Sequence, residues 1–316
     1  MRALFLLQQV AQNAQPGAPA AGAPPPEHGF SFVAALFQLI QFVGWFLAIG
    51  AIGFRFGIVR RLRGGFSDDA RRILAADNAA VLGLIGIILL AISYLGAPLV
   101  DSISSGKSFA ESLPKNIRPF EFKMAMLAIA FVGFLLVRAS STVGWTLAAL
   151  AIVIAVLQPL YTGRGAGKVN AVHVLAASTW LGTLLVLTIV GFRGVTRRGP
   201  SGTPRTELVR DLVNSFSPLA LTAAAFVALT GVTTAWLHLK HVSALWTTSY
   251  GIALIIKLIF VLIVVALGAW NWRRVRPSLG EEGSEQTIRR SATMELTIGA
   301  IVLICTAVLV TLPSPR

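Results

Sequence analysis

Polar and apolar residues are not interleaved along this chain as they would be in a soluble helix or strand. They segregate into long apolar stretches joined by short polar ones. Eight stretches reach the roughly 17 to 25 residues that a helix needs to cross a hydrocarbon core about 30 Å thick. They lie near 31–54, 80–100, 122–137, 142–161, 170–192, 216–238, 250–271 and 293–312, and the third is the shortest. Barrel strands would alternate, whereas these runs are continuously apolar, and a helix satisfies its own backbone hydrogen bonds in lipid. The pattern predicts an all-α polytopic membrane protein of about eight transmembrane helices.

Residues 1–30 break this pattern. MRALFLLQQVAQNAQ has one arginine and a very short apolar run, which makes a poor signal peptide. PGAPAAGAPPPE, which follows, predicts an extended tether. No soluble domain fits elsewhere in the chain.

A composition 55% hydrophobic and 13% charged agrees with membrane residence. The formal net charge of +14 would suggest nucleic acid, but the charges sort by side. Seventeen of the 27 basic residues, all of them arginine, follow spans one, three, five and seven. The positive-inside rule makes those loops cytoplasmic and turns both termini outward. The basic surplus then reports topology and contact with anionic lipid, not a nucleic-acid groove.

The end of span one, FVGWFLAIGAIGFRFGIVRR, resembles the end of span five, TWLGTLLVLTIVGFRGVTRR. Gly53-Phe54-Arg55 aligns with Gly191-Phe192-Arg193 without gaps, so a four-plus-four repeat of residues 31–165 and 166–316 is expected. Ala35 then stands where the second half has His173, and site chemistry concentrates in residues 166–316.

All four histidines, His28, His173, His238 and His241, fall on the outward side of this topology. His173 opens span five in VNAVHVLAASTWLG, with Trp180 two turns deeper on the same face. His238 closes span six in TGVTTAWLHLKH, and His241 shares its face if the last turn continues. Spans five and six run antiparallel, so His173 and His238 are expected to meet at one depth. Below His238, Thr234, Thr230 and Thr222 form a polar stripe that lipid exposure would disfavour. An outward metal site is the leading expectation. Met124 and Met126, at the outward start of span three, would add thioethers, a ligand type that with imidazole suits copper(I). Cys305, the chain's single cysteine, lies inside span eight, deep enough for an inner soft ligand or a small core residue. Lys257 is the only clearly intramembrane charge, and such residues are functional candidates by default.

There is no P-loop, no GxSxG, no HExxH and no dinucleotide fingerprint, so an enzyme is not expected. With no carboxylate at mid-span, a carboxylate proton relay is not expected either.

The succession HVLAASTWLGTLLVL, FSPLALTAAAFVALTGVTTAWLHL, ALWTTSYGIALIIKL and RRSATMELTIGAIVLICTAVLVTLPSP resembles the bacterial copper resistance protein D family. The likeness covers roughly 170–316, while the first four spans agree with the family only in topology and length. The resemblance implies movement of copper across the bacterial inner membrane, with uptake aided by a separate periplasmic copper-binding partner. By position it implies roles for His173, Trp180, Trp236, His238, Tyr250 and Lys257. Two other readings of the histidines stand beside it. One is a b-type haem held axially by His173 and His238; the other is a non-transporting subunit that docks a periplasmic copper carrier.

Overall fold

The computed structural model describes residues 31–61, 76–139, 141–163, 165–192, 203–239, 241–275 and 284–312. Among them, regular structure is helical throughout, and eight helices are long and apolar enough to cross a membrane. Spans one to eight are Phe32–Val59, Asn78–Ser105, Ile117–Arg138, Thr142–Thr162, Ala166–Phe192, Glu207–Leu239, Ser249–Arg273 and Gln286–Thr311. Each predicted stretch is therefore a helix. The predicted tether at 1–30, and His28 with it, lies outside the described residues.

The helices run beyond the apolar windows. The helix of span six starts at Thr203, well before the predicted 216. Its early turns are amphipathic: Leu208, Leu212 and Phe216 recur every four residues and are buried. A hydropathy window averages such a stretch away. After span two, Ser108 and Glu111 form a reciprocal capping box over the single turn Phe109–Ser112. The Ser108 backbone amide, which donates to its carboxylate, holds Glu111 below the usual glutamate range.

Span one is the central post. It packs against span two on one side and spans five and eight on the other. Span five in turn packs against spans one, four and six, while span three pairs with span four and span seven with span eight. Exchanging the halves turns the one–two and one–eight contacts into five–six and five–four, but the close contact of spans two and three has no comparable counterpart between spans six and seven among the described residues. Spans one and five both leave the α-helical pitch near their arginine-rich ends, as the π-helical segments Phe54–Val59 and Leu187–Phe192.

Gly50 and Gly182 allow spans one and five to touch backbone to backbone. A Cβ on Gly50 would overlap the Gly182 carbonyl, and one on Gly182 would overlap the Phe46 carbonyl. Small residues bring membrane helices this close because lipid supplies no hydrophobic drive for association. Around this crossing lies the main core, with Phe54, Leu90, Leu127, Phe134, Ile152 and Leu187 fully buried. Phe134 meets Trp145 edge to face at 5.8 Å between ring centroids.

Burial is uneven. The apolar window of span five is 61% buried, whereas those of spans six and seven are 11% buried each. Spans six and seven thus present broad apolar faces, including Leu221, Leu229, Val232 and Leu262, to the surrounding lipid.

Candidate functional site

The site lies where span five, the most buried helix, meets the less buried spans six to eight. His173 stands against span six at Gly231. A Cβ there would come within 3.2 Å of the ring carbon Cε1, so the missing side chain makes room for the imidazole. The ring nitrogen Nδ1 lies 3.0 Å from the Thr230 hydroxyl. Thr230, buried on span six, donates its only hydroxyl hydrogen to the Phe226 carbonyl. With its hydrogen on that carbonyl the hydroxyl accepts from His173, and the imidazole proton then lies on Nδ1. The Val227 carbonyl is a second acceptor on the same helix. Nε2 keeps its lone pair and is the free nitrogen of the ring.

His238 reaches the same state by another route. Its Nδ1 lies 2.8 Å from the Thr234 carbonyl, which can only accept, so Nδ1 again carries the proton and Nε2 the lone pair. The ring stacks on Tyr250, 5.9 Å between centroids and 15° from parallel. Tyr250 is buried at the start of span seven, beside Leu254 and Leu309. Thr248 caps that helix by accepting from the Gly251 amide at 3.0 Å. A histidine fixed through Nδ1 to a carbonyl or hydroxyl is the usual form of a metal-ligating imidazole.

The two histidines do not share a depth, as the antiparallel spans had suggested. His173 touches span six at Thr230 and Gly231, and His238 is two turns further along it, about 10 Å at 1.5 Å per residue. The expected pair becomes two tiers. Between them Thr234 has a buried hydroxyl that meets no hydrogen-bond partner among the described residues.

Counting along the neighbouring spans aligns the deeper tier. Lys257 lies seven residues from Tyr250, just as Gly231 lies seven from His238. Leu254 and Leu309 pack together, and one turn beyond them Lys257 and Cys305 lie on the facing sides of spans seven and eight. His173 and Thr230 meet in the deeper tier, and counting along spans seven and eight places Lys257 and Cys305 near its level.

Other residues singled out in the sequence stand elsewhere. The helix of span six ends at Leu239, so His241 leaves the face of His238 and is exposed in the following turn. Thr222 is exposed and donates to the carbonyl of Pro218, an intrahelical proline, at 2.8 Å, which removes it from the polar stripe. Trp236 is 71% exposed, the placement of an interfacial aromatic. Trp180 lies in the π-helical turn Ser178–Gly182 and packs against two core clusters. Met124 and Met126 pack into the main core on span three, whose partners are spans two and four. Among the described residues, three or more His, Cys, Asp or Glu side chains do not gather around a common point.

A polar cluster at the opposite end escaped the sequence reading. Asn271, ending span seven, donates to the carboxylate of Glu295 and accepts from the Ser291 hydroxyl at 2.5 Å. Glu295 is only 7% exposed. A single charge near the end of an apolar run looks interfacial in sequence, and only the pairing of spans seven and eight shows it to be enclosed.

Residues 210–309, which run through spans six to eight, match the family model described as Copper resistance protein D. Over these three spans the chain is similar to the copper resistance protein D family. The chain is also 27% identical over 268 residues to the copper transport protein CutJ of Bacillus subtilis (strain 168). That alignment covers 78% of this chain, more than its second half alone provides, and 46% of the relative. The chain thus spans about half the length of the curated relative it matches. No solved structure matches it. The matched residues include His238, Thr230, Lys257 and Cys305, while His173 lies before them on span five.

Proposed function

We propose that this protein carries copper across the bacterial inner membrane through spans five to eight, with the histidine end facing outward as the arginine distribution indicates. The observation that carries this reading is the pair of imidazoles held through Nδ1 with Nε2 free, at successive depths in and beside the copper resistance protein D region. His238 receives copper near the outer surface, from the aqueous phase or from a separate periplasmic copper-binding protein. His173 takes it two turns further in. Neutral imidazole suits copper in either oxidation state and adds no charge to the path. The name of the relative CutJ supports the same cargo. The first four spans are the scaffold that fixes span five.

The stagger argues against the haem reading, because axial ligands must meet one iron from opposite faces and these rings stand about two turns apart. The docking-subunit reading shares the outer site and differs only in flux.

Copper(I) uptake into proteoliposomes of known orientation tests the proposal. Wild-type protein is expected to transport, and a His173→Ala, His238→Ala double variant to fall to the rate of empty vesicles. Copper bound without flux in the wild type would make this a docking subunit instead.

A subtler variant tests the tautomer argument. Thr230→Val keeps the side-chain volume but removes the acceptor that fixes Nδ1–H of His173. Second-shell losses of this kind cost about 10- to 100-fold in metal affinity. Competition titration against a copper(I) chelator is expected to show a drop in that range, with unchanged thermal stability in detergent.

A further inference from the structure

The π-helical end of span one lines up two arginines. The Arg60 amide donates to the Arg55 carbonyl at 3.1 Å, an i to i+5 bond that sets the two residues one above the other. An α-helix, at 3.6 residues per turn, would turn them about 140° apart. Both line a cavity of about 280 Å³ between this segment and the first turn of span four, which contributes Thr142, Val143 and Thr146. Arg55 is half-buried and Arg60 exposed, so the cavity leads from the side of the bundle to its arginine-rich end. Trp145 also lines it, almost fully buried, and its edge-to-face contact with Phe134 fixes the start of span four against span three. The Ser141 side chain makes no capping hydrogen bond, so the first-turn amides of span four add partial positive charge at the same end.

We propose that this cavity binds the phosphate of an anionic phospholipid, held by Arg55 and Arg60 with the hydroxyls of Thr142 and Thr146. Two forked guanidinium groups beside hydroxyl donors form a lining suited to phosphate oxygens. What lies next to the cavity identifies the carrier of that phosphate. Val143 is 68% exposed, and Leu150 and Ile154 follow it along one face of span four, exposed as well. This apolar stripe starts in the cavity and runs into the lipid-facing side of the span, where an acyl chain lies. Free phosphate offers the same oxygens but has nothing to place along the stripe. Basic pockets between helices on the cytoplasmic side hold anionic headgroups, and the arginine-rich ends are the cytoplasmic ones under the positive-inside rule. The site lies at the opposite end of the bundle from His238 and needs no copper, so it stands apart from the transport reading.

The test uses the full chain in mild detergent, with binding of phosphatidylglycerol and phosphatidylcholine followed by native mass spectrometry. Wild type is expected to bind phosphatidylglycerol at least about tenfold more tightly than phosphatidylcholine. The Arg55→Gln, Arg60→Gln double variant is expected to lose that preference. Arg60→Gln alone, at an exposed position where substitution leaves the fold intact, is expected to weaken phosphatidylglycerol binding about fivefold. Arg273→Gln, exposed at the same end of the bundle but outside the cavity, is expected to weaken it less than about twofold. Equal losses in Arg60→Gln and Arg273→Gln would make the attraction a diffuse surface effect and overturn the site, as would equal binding of the two lipids by wild type. Inorganic phosphate is expected to leave the bound lipid in place. Displacement of the lipid by phosphate alone would overturn the phospholipid as the occupant and assign the cavity to the free anion.

Discussion

His173→Ala is expected to abolish copper flux in proteoliposomes, whereas His238→Ala is expected to retain transport that saturates only at much higher copper. The difference comes from where each ring stands. His173 joins the central span five to span six, and in the proposed pathway a cation travelling inward passes its level. His238 is stacked on Tyr250, and in the proposed pathway it is the outer residue that gathers ions. Losing the gathering residue lowers occupancy at low copper, which excess cargo restores. Losing the inner residue removes a step that concentration cannot replace. A concentration series with each variant separates the two: maximal rate falls for His173→Ala, and half-saturation rises for His238→Ala. Equal loss of maximal rate in both would mean that they act as one site.

Gly182→Val is expected to leave little folded protein. The Gly182 backbone lies directly against Phe46 and Gly50 of span one, and those neighbours are backbone atoms that cannot rotate away. Ordinary overpacking of a core costs about 1 to 3 kcal/mol because side chains give way. Here the spans must part, and with them the contact between the halves. Fluorescence-detected size exclusion of the variant in mild detergent should show aggregate in place of the monodisperse peak, at wild-type expression temperature. Gly182→Ala is expected to lie between the two. A monodisperse valine variant with wild-type melting would show that the crossing tolerates separation.

The eight spans were legible because each is a long unbroken apolar run, and nothing but a helix satisfies such a backbone in lipid. His173 and His238 were legible as residues near the ends of two neighbouring spans. Their stagger was not, because helix-end positions fix depth only to within a few residues. The contact that sets it, His173 against Gly231, depends on how span five docks. Thr230 was visible as part of a polar stripe, while Thr222 was misplaced because its hydroxyl is taken by the Pro218 carbonyl. Met124 and Met126 share a depth, but residues two apart point to different sides of a helix, so depth alone did not make them a pair. Cys305 and Lys257 are 48 positions apart, and Asn271 and Glu295 are 24 apart. Neither relation follows any period in the sequence; both come from the packing of spans seven and eight.

The uneven burial of the bundle gives the site a mechanical character. Span five is a post clamped on several sides; span six leans against it and span seven against span eight, both with most of their surface in lipid. Shifting an element that has few protein neighbours forfeits few packed contacts, since lipid chains refill the space it leaves. His238, Thr230 and Lys257 all ride on those two lightly held helices, while His173 stays on the post. The distance between His173 and the residues on those helices can therefore change without disturbing the central crossing, which makes the bundle a vice with one rigid jaw and one compliant one.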